Sequence, residues 1–466
     1  MRSRSTWARR SVRLAGVGAL CLALVVGVVF LARAATARTL RGAPHTTAVH
    51  RACEAPATPQ FTEAADPQAT APTASATTAT TATTAVTAAP SATAPTTPPA
   101  SDASAGWAQF GFDPQGGRCN PDETALNAQS APSLALAWSN TSVASTVSSP
   151  VVSHGVLYVA SDNPHTALWA FTAKTGALLW SQVLPNVVET APTTPAVADG
   201  VVYVGSADTL YAFDAKTGHP LWSKTTGNIL QGWPVVNSGL AYISSQDGNV
   251  YALHAATGAL AWTAPLGLSG EPAVATTGIA IGGALLYIGA GQSLYAFNAT
   301  TGQRVWQIAA PGGLSNSAPV VADGVVYIGG FYNNLYAVDA QTGATLWLAR
   351  TGNVINGSAA VAYGLVYIGS GDGVLYAYHA HTGSLAWKTS VGGVIFTSPA
   401  VADGVVYATT ACDCGASASK FLFALDAMSG ARLWSFAPGY PMYSSPTVAS
   451  GFLFASAYTG LFAFRA

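Results

Sequence analysis

The sequence predicts an all-β fold, an eight-bladed β-propeller whose blades are four-stranded antiparallel sheets. The main observation is a tryptophan that recurs every 40 to 47 residues, because a period of about 40 to 45 residues around strand-like text is typical of propeller blades. A second observation is the pair of tight turns inside each unit, and a third is a last unit that stops one strand early. The recurring tryptophans are Trp138, Trp180, Trp222, Trp262, Trp306, Trp347, Trp387 and Trp434.

One unit, from Thr193 to Trp222, illustrates the four strands. Pro195 opens a short apolar strand, in a position where a sheet tolerates proline. Asp199-Gly200 predicts a tight turn whose glycine takes a positive φ. The run from Val201 to Gly205 is apolar throughout, as in a strand buried on both faces. Two more strands follow, joined by a turn at Thr217-Gly218, so each unit predicts one blade.

The chain ends before its last unit is complete. That unit begins at Ser444 and stops at Ala466, after three strands. A spare fourth strand, Leu134 to Trp138, precedes the first complete unit, and we expect it to pair with Leu461 to Phe464 and close the ring. Closure removes the exposed sheet edges that invite aggregation. A ring of seven blades would require one irregular unit, and the insertion between Gly282 and Ile288 would be its expected place.

The chain before the propeller predicts two further regions. Residues 1–34 are expected to form an N-terminal membrane anchor or signal segment, because arginines precede the 19 uncharged residues from Leu14 to Ala32. An anchor would make a single-pass protein with its propeller on the extracytoplasmic side, whereas cleavage near Ala35 would give a secreted protein. Residues 35–105 predict an Ala/Thr/Pro-rich disordered linker, and residues 106–466 the propeller.

Charge and cysteine content restrict the function classes. Only 8% of residues are charged and the net charge is −1, which disfavours nucleic-acid binding. Outside the cell, cysteines can pair, and Cys412 and Cys414 in an unusual insertion are candidates for a disulfide. Free thiols and metal or redox chemistry are the alternatives, although zinc would require about four well-placed ligands.

The text from Ala212 to Trp222 resembles the tryptophan-docking motif, AxDxxTGxxxW, of pyrroloquinoline-quinone (PQQ)-type propellers, and Ala337 to Trp347 matches it as well. The resemblance extends from about Trp107 to Ala466. It implies that the eight recurring tryptophans are structural and dock between neighbouring blades. It also implies that the lead segment beginning at Trp107 is a strap over the ring closure.

Ligands of propellers usually meet the face where the fourth strand of one blade passes to the first strand of the next. The position three before the first-strand proline is expected to ring the mouth of the central channel there. It holds Val147, Pro192, Gln231, Ser269, Asn316, Asn356, Phe396 and Tyr443. Amides and aromatics without charge suit a peptide or glycan, so the candidate binding face is Gln231, Trp233, Asn316, Asn356, Phe396 and Tyr443. The alternative is that these side chains only plug the channel.

The leading functional hypothesis is a non-catalytic, membrane-tethered scaffold that binds a protein, peptide or envelope polymer. The alternative from a different class is a PQQ-dependent quinoprotein oxidoreductase with a reduced site. The resemblance implies that such an enzyme holds calcium and PQQ with a Glu, an Asn and an Asp on long loops, and this chain offers no match to that triad. Asp247-Gly248 and Asp372-Gly373 are better explained as hairpin turns. No cofactor, metal or catalytic residue is therefore expected.

Overall fold

The structure is a computed structural model. It describes residues 53, 106–143, 148–162, 166–185, 192–267, 276–310, 313–314, 317–330, 332–410, 422–437 and 442–466. Contacts divide the chain into Met1–Val49 and His50–Ala466, and every described residue belongs to the second unit.

The described strands form eight antiparallel blades, as predicted. Before the first complete blade lie β1 (Cys119–Asn120), a 3₁₀ helix (Ala131–Ser133) and β2 (Ala135–Asn140). Blade 1 contains β3 (Val151–Ser153), β4 (Val156–Ser161), β5 (Ala167–Thr172) and β6 (Leu178–Val183). Blade 2 contains β7 (Ala196–Ala198), β8 (Val201–Ser206), β9 (Thr209–Asp214) and β10 (Pro220–Thr225). Blade 3 contains β11 (Leu230–Asn237), β12 (Leu240–Ser245), β13 (Asn249–His254) and β14 (Leu260–Pro265).

The other blades repeat this order. Blade 4 contains β15 (Thr276–Gly282), β16 (Leu285–Ala290), β17 (Ser293–Asn298) and β18 (Arg304–Ala309). Blade 5 contains β19 (Val320–Ala322), β20 (Val325–Gly329), β21 (Asn334–Asp339) and β22 (Thr345–Arg350). Blade 6 contains β23 (Ala360–Ala362), β24 (Leu365–Gly369), β25 (Val374–His379) and β26 (Leu385–Ser390). Blade 7 contains β27 (Ala400–Ala402), β28 (Val405–Thr409), β29 (Leu422–Asp426) and β30 (Arg432–Phe436). Blade 8 contains β31 (Thr447–Ala449), β32 (Phe452–Ala457), β33 (Gly460–Arg465) and β2.

Blade 8 confirms the predicted closure. The early strand β2 pairs antiparallel with the last strand, β33, and Leu136 stands opposite Phe464 while Trp138 stands opposite Ala463. A strand that precedes the first complete blade and the last strand of the chain therefore share one sheet, and their backbone hydrogen bonds close the ring.

The turn between the first and second strands of a blade has the predicted geometry. In blade 2, Asp199 has φ 49° and Gly200 has φ 74°. Two consecutive left-handed residues make the type I′ turn that matches the twist of a hairpin. The turn therefore holds the innermost strand in register with its neighbour.

The repeated tryptophans dock between blades, as the motif implies. The indole Nε1 of Trp222 in blade 2 donates to Ala255 O of blade 3 at 2.9 Å, and Trp347 of blade 5 donates to Ala380 O of blade 6 at 2.8 Å. Each indole also covers the motif glycine of the next blade, so that a Cβ added to Gly258 would stand 2.6 Å from Trp222. The same donation to the next blade is made by Trp138, Trp180, Trp262, Trp306 and Trp387.

The docking of Trp434 differs because its neighbour is the closing blade. There the third and fourth strands come from opposite ends of the chain, so no motif turn joins them. Trp434 packs edge-on against Phe464, with ring centroids 5.3 Å apart. The segment before β2 supplies an acceptor for the tyrosine of blade 7 instead. Leu126 O accepts from the Tyr407 hydroxyl at 3.2 Å, whereas in blade 2 the Tyr203 hydroxyl donates to Ala255 O, as Trp222 does.

The lead segment Trp107–Asn120, here called the strap, extends further than predicted. Instead of covering only the closure, it visits all eight blades in order, meeting equivalent residues of their first strands. In blade 1, Trp107 and Val152 exchange backbone hydrogen bonds. In the later blades, backbone or side-chain atoms of the strap form hydrogen bonds with the first strand. The residues that it meets are Val152, Val197, Val236, Ile281, Val321, Val361, Val401 and Val448.

One other expectation about the repeat was wrong. The described first strand of blade 4 starts at Thr276, and its Ile281 meets the strap as Val321 does in blade 5, so the alignment that placed Ser269 at the mouth through Pro272 was wrong. Because the ring has eight blades, no irregular unit is required. Blade 4 has a register shift between Thr276 and Ile279, and blade 3 has one at the equivalent place, between Gln231 and Val235.

A disulfide joins Cys53 to Cys119. Cys53 falls inside the stretch predicted as linker, and Cys119 belongs to β1. The candidate pair Cys412 and Cys414 lies outside the described residues, and so does the predicted anchor from Leu14 to Ala32. Within the described ranges, no helix is long and apolar enough to cross a bilayer.

Candidate functional site

The central channel has two chemically different ends. Each first strand runs from the loop that enters its blade to the turn that leads into its second strand. We call the first end the mouth end and the second the strap end, because the strap contacts the last residues of the first strands. The mouth end carries the candidate binding face.

The strap end is filled by packed aromatic rings. Phe110 of the strap stacks on Trp233 of blade 3, with ring centroids 3.7 Å apart. The Trp107 ring is completely buried and meets Phe112 edge-on. These rings lie inside the circle of first strands, so the channel is obstructed at this end.

A buried arginine fastens the strap to the closing part of the ring. Arg118 donates to Pro399 O of blade 7 at 2.5 Å, to Pro446 O of blade 8 at 2.9 Å and to Phe110 O. Its guanidinium also lies over the Phe110 ring, 4.5 Å from the centroid. Burial lowers the pKa of Arg118 to about 9, which leaves it charged at neutral pH. The backbone carbonyls and the ring face compensate the charge.

The channel wall below the mouth is a chain of hydroxyl groups that links successive blades. Ser358 N donates to Ser398 Oγ at 2.8 Å, and Ser398 N donates to Ser445 Oγ at 2.9 Å. The chain passes through the closure, where Ser445 N donates to Ser149 Oγ at 2.9 Å. The sequence analysis missed this feature, although a Ser or Thr directly before the first-strand proline signals it. The wall is therefore a rigid support for the loops above it.

Two members of the predicted face are engaged in the scaffold. Gln231 Oε1 accepts from the Thr276 backbone N–H at 2.6 Å and replaces a wall hydroxyl between blades 3 and 4. Trp233 is half-buried and stacks on Phe110. Both residues therefore carry structural contacts, and Trp233 contributes to the channel obstruction.

Each of three other members of the predicted face lies two residues before a serine of the hydroxyl chain. Asn356 and Phe396 are half-buried, and Tyr443 is 50% exposed. Because Ser358, Ser398 and Ser445 are linked from blade to blade, blades 6, 7 and 8 present these side chains at equivalent positions. Asn316 lies outside the described residues.

Two exposed tyrosines at the mouth end were not predicted. Tyr332 is 69% exposed and Tyr458 is 55% exposed. Both lie in turns between the second and third strands of their blades, which reach the same end as the inter-blade loops. An aromatic residue in a turn that otherwise holds small and polar residues was the available signal.

Acidic residues at the mouth end secure turns, as the sequence predicts for Asp247 and Asp372. Asp247 Oδ2 accepts from Gly227 N at 2.9 Å and from the Tyr251 hydroxyl at 2.6 Å. Asp372 makes the same contacts in blade 6, with Gly352 N and the Tyr376 hydroxyl. These bonds and burial raise the pKa of both tyrosines to about 12, with burial the larger cause. The carboxylates are thus structural acceptors.

Where the strap meets the blades, the described channel lining is mainly apolar and aromatic. The small cleft there is lined by Phe110, Trp233, Ile279 and Ala318, together with Gln109, Asp113 and Ser358. Calcium prefers several oxygen ligands. In the described part of the chain, no three His, Cys, Asp or Glu side chains come together as such a ligand set.

Comparison with known proteins agrees with this architecture. Residues 122–196, 170–359 and 334–447 match the family model described as outer membrane protein assembly factor BamB. The chain belongs to this family of PQQ-like β-propeller proteins. Within it, the BamB of Yersinia pestis is 33% identical over 135 residues, which cover 26% of this chain and 33% of that protein. The match thus spans about a third of the relative's length.

Solved structures share the fold at low sequence identity. BamB from Moraxella catarrhalis superimposes with a TM-score of 0.58 at 16% identity, over 72% of this chain and 100% of that one. A europium-containing methanol dehydrogenase gives 0.62 at 16% identity, over 76% and 89%. A quinohemoprotein alcohol dehydrogenase from Comamonas testosteroni gives 0.59 at 16% identity, over 77% and 80%. At such identities, BamB and the dehydrogenases indicate the fold alone.

Proposed function

We propose that the protein is a non-catalytic scaffold of the cell envelope that binds a protein or peptide through the mouth end of its propeller. Membership of the BamB-like family supports a protein partner. The single observation that carries the proposal is the difference between the two ends of the channel. One end is filled by the strap, whereas the other presents exposed or half-buried uncharged side chains over its described residues in blades 7 and 8, above the chain of hydroxyl groups.

The composition of the mouth supports an uncharged partner surface. Over blades 7 and 8, the described mouth residues include Phe396, Tyr443 and Tyr458 and no charged side chain. Exposed tyrosines give apolar area and a hydroxyl at a low cost in conformational entropy. A peptide or protein segment without strong charge fits this arc, and an envelope glycan is the other chemistry that aromatic rings and amides suit.

We further propose that residues 1–34 anchor the chain in the cell membrane with the propeller outside, and that residues 35–105 form the linker. The uncharged run from Leu14 to Ala32 supports a membrane helix. The Cys53–Cys119 disulfide supports an extracytoplasmic propeller, because such bonds persist in oxidising compartments. Secretion after cleavage near Ala35 is the alternative, and the N-terminal residue of the mature protein distinguishes the two.

The binding proposal is tested by replacing Asn356, Phe396 and Tyr443 together with alanine. Partner capture from solubilised native membranes should be lost while the thermal melt stays unchanged. A matched control replaces three exposed residues of turns at the strap end, Gln341, His381 and Met428, and should capture normally. Normal capture by the first variant would place the binding surface elsewhere.

The oxidoreductase alternative has its own test. Because the proposed scaffold holds no cofactor, titration of the purified propeller with calcium and PQQ should show no saturable binding. A saturable quenching of tryptophan fluorescence that requires both ligands would instead support an enzyme.

A further inference from the structure

Cys53 is fixed at the strap end of the propeller by two contacts. Its sulfur is bonded to Cys119, which stands in β1 opposite Val401 of blade 7. Its backbone oxygen accepts from Tyr363 N of blade 6 at 2.9 Å. The Tyr363 hydroxyl in turn accepts from Gly404 N of blade 7 at 2.7 Å. Cys53 therefore contacts the turn of blade 6 directly and is bonded to the strap beside the first strand of blade 7.

The peptide that follows Cys53 returns to the propeller at another blade. Residues 54–105 separate Cys53 from Gly106, and the next residue, Trp107, is hydrogen-bonded to Val152 of blade 1. The chain that precedes Cys53 is thus connected to the ring by two covalent routes. One passes through residues 54–105, and the other passes through the disulfide directly into the strap.

We propose that the Cys53–Cys119 disulfide is the joint that holds the propeller to its N-terminal segment, and that residues 54–105 form a closed covalent loop beside this joint. The proposal rests on the anchoring role proposed for residues 1–34. It adds that the attachment point is at the strap end. The mouth end, with Phe396 and Tyr443, is then the end remote from the attachment and open to a partner.

A consequence distinguishes this joint from a simple linker. A single cut in residues 54–105 opens the loop but leaves the disulfide intact, so the propeller stays attached. A cut between the anchor and Cys53 severs the peptide chain that both of these routes share. Ala/Thr/Pro-rich chain is a preferred site of proteolysis, so the joint would preserve attachment after a cut in the longer part of the linker.

The experiment uses the full-length chain in its own membranes, with an epitope tag after Arg38 and an inserted site for a specific protease. One version carries the site after Thr84 and the control carries it after Pro44. After complete cutting, the Thr84 version should stay in the membrane fraction without reductant and be released by reductant. The Pro44 version should be released under both conditions.

Cysteine variants make the result independent of reductant access. In the Thr84 version, Cys53→Ser and Cys119→Ser should each release the propeller on cutting without reductant, while Cys412→Ser should not. Release of the unsubstituted Thr84 version without reductant would overturn the proposal. So would retention of the Cys119→Ser variant.

The location of the uncut protein tests the anchor separately from the joint. If the uncut protein is already soluble, anchoring by residues 1–34 is wrong. The tag still reports the joint, because after the Thr84 cut it should migrate with the propeller on a non-reducing gel and separate from it on a reducing one. Separation on both gels would refute the joint itself.

Discussion

At the residue scale, the contact between blades depends on three groups that recur together. An indole N–H of one blade meets an alanine carbonyl of the next, and the indole face lies on a glycine. In blades 2 and 3 these are Trp222, Ala255 and Gly258. Gly258 has φ +70° as well, so both its backbone conformation and the space above it require glycine.

Replacing Trp222 or Trp347 with alanine should lower the free energy of unfolding by about 3 kcal/mol, the lower end of the range for buried aromatic residues, because both indoles are half-buried. Trp222→Phe should cost less, because it keeps most of the packing and loses a hydrogen bond worth about 1 kcal/mol. Urea denaturation would measure both. Equal midpoints for Trp222→Ala and the parent would contradict an architectural role for the motif.

The second-strand tyrosines set the alkaline limit of stability. Burial raises the pKa of Tyr158, Tyr203 and Tyr242 to about 12. It raises the pKa values of the other four further, in Tyr287, Tyr327, Tyr367 and Tyr407. A pKa raised in the folded state contributes stability that is complete below the unfolded value of about 10 and is lost as pH rises toward the folded one. The pKa of Arg118 is lowered, so the free-energy cost of burying its charge decreases as pH rises above 9. Seven tyrosines outweigh one arginine.

The urea midpoint should therefore fall between pH 10 and pH 12. Tyr203→Phe should make this decrease in the urea midpoint smaller, because it removes one group that ionises in the unfolded chain. Its midpoint at pH 8 should drop slightly through loss of the bond from the Tyr203 hydroxyl to Ala255 O. A midpoint that rises up to pH 11 would show that Arg118 dominates.

At the scale of elements, the sequence predicts those structural features that require particular residue types or strand lengths. The tryptophan period, the Asp199-Gly200 turn and the missing last strand predicted the blades and their closure, because docking, positive φ and pairing each require particular residues or lengths. The strap's path was not predictable, since most of its bonds to the blades come from backbone carbonyls that any residue supplies. The start of blade 4 was misplaced because Pro272 imitates a first-strand proline.

Removal of the closing strand tests the element on which the ring depends. A chain that begins at Ser139 lacks the Leu136–Phe464 pairing and exposes β33 as a long apolar edge, so it should aggregate. A chain that begins at Gly106, with Cys119 changed to Ser, keeps β2 and should elute as a monomer. Size-exclusion chromatography with light scattering compares them, and a monomeric Ser139 chain would refute closure by β2.

At the scale of the whole molecule, the two ends of the channel have different roles. The strap, Arg118 and the Phe110–Trp233 stack fill one end. The mouth positions could be aligned from the sequence, which identified Asn356, Phe396 and Tyr443. The structural use of Gln231 and Trp233 could not be foreseen, because their partners, Thr276 and Phe110, are distant in the chain. The proposed binding function is assigned to the end that the strap leaves open.

Site-specific photo-crosslinking in living cells tests the central claim most directly. A photoreactive residue placed singly at Asn356, Phe396 or Tyr443 at the mouth, or at Gln341, His381 or Met428 at the strap end, reports contacts without removing the binding surface. The proposed function predicts one common protein adduct from the mouth positions and none from the strap-end positions. Adducts only from Gln341, His381 and Met428 would contradict it.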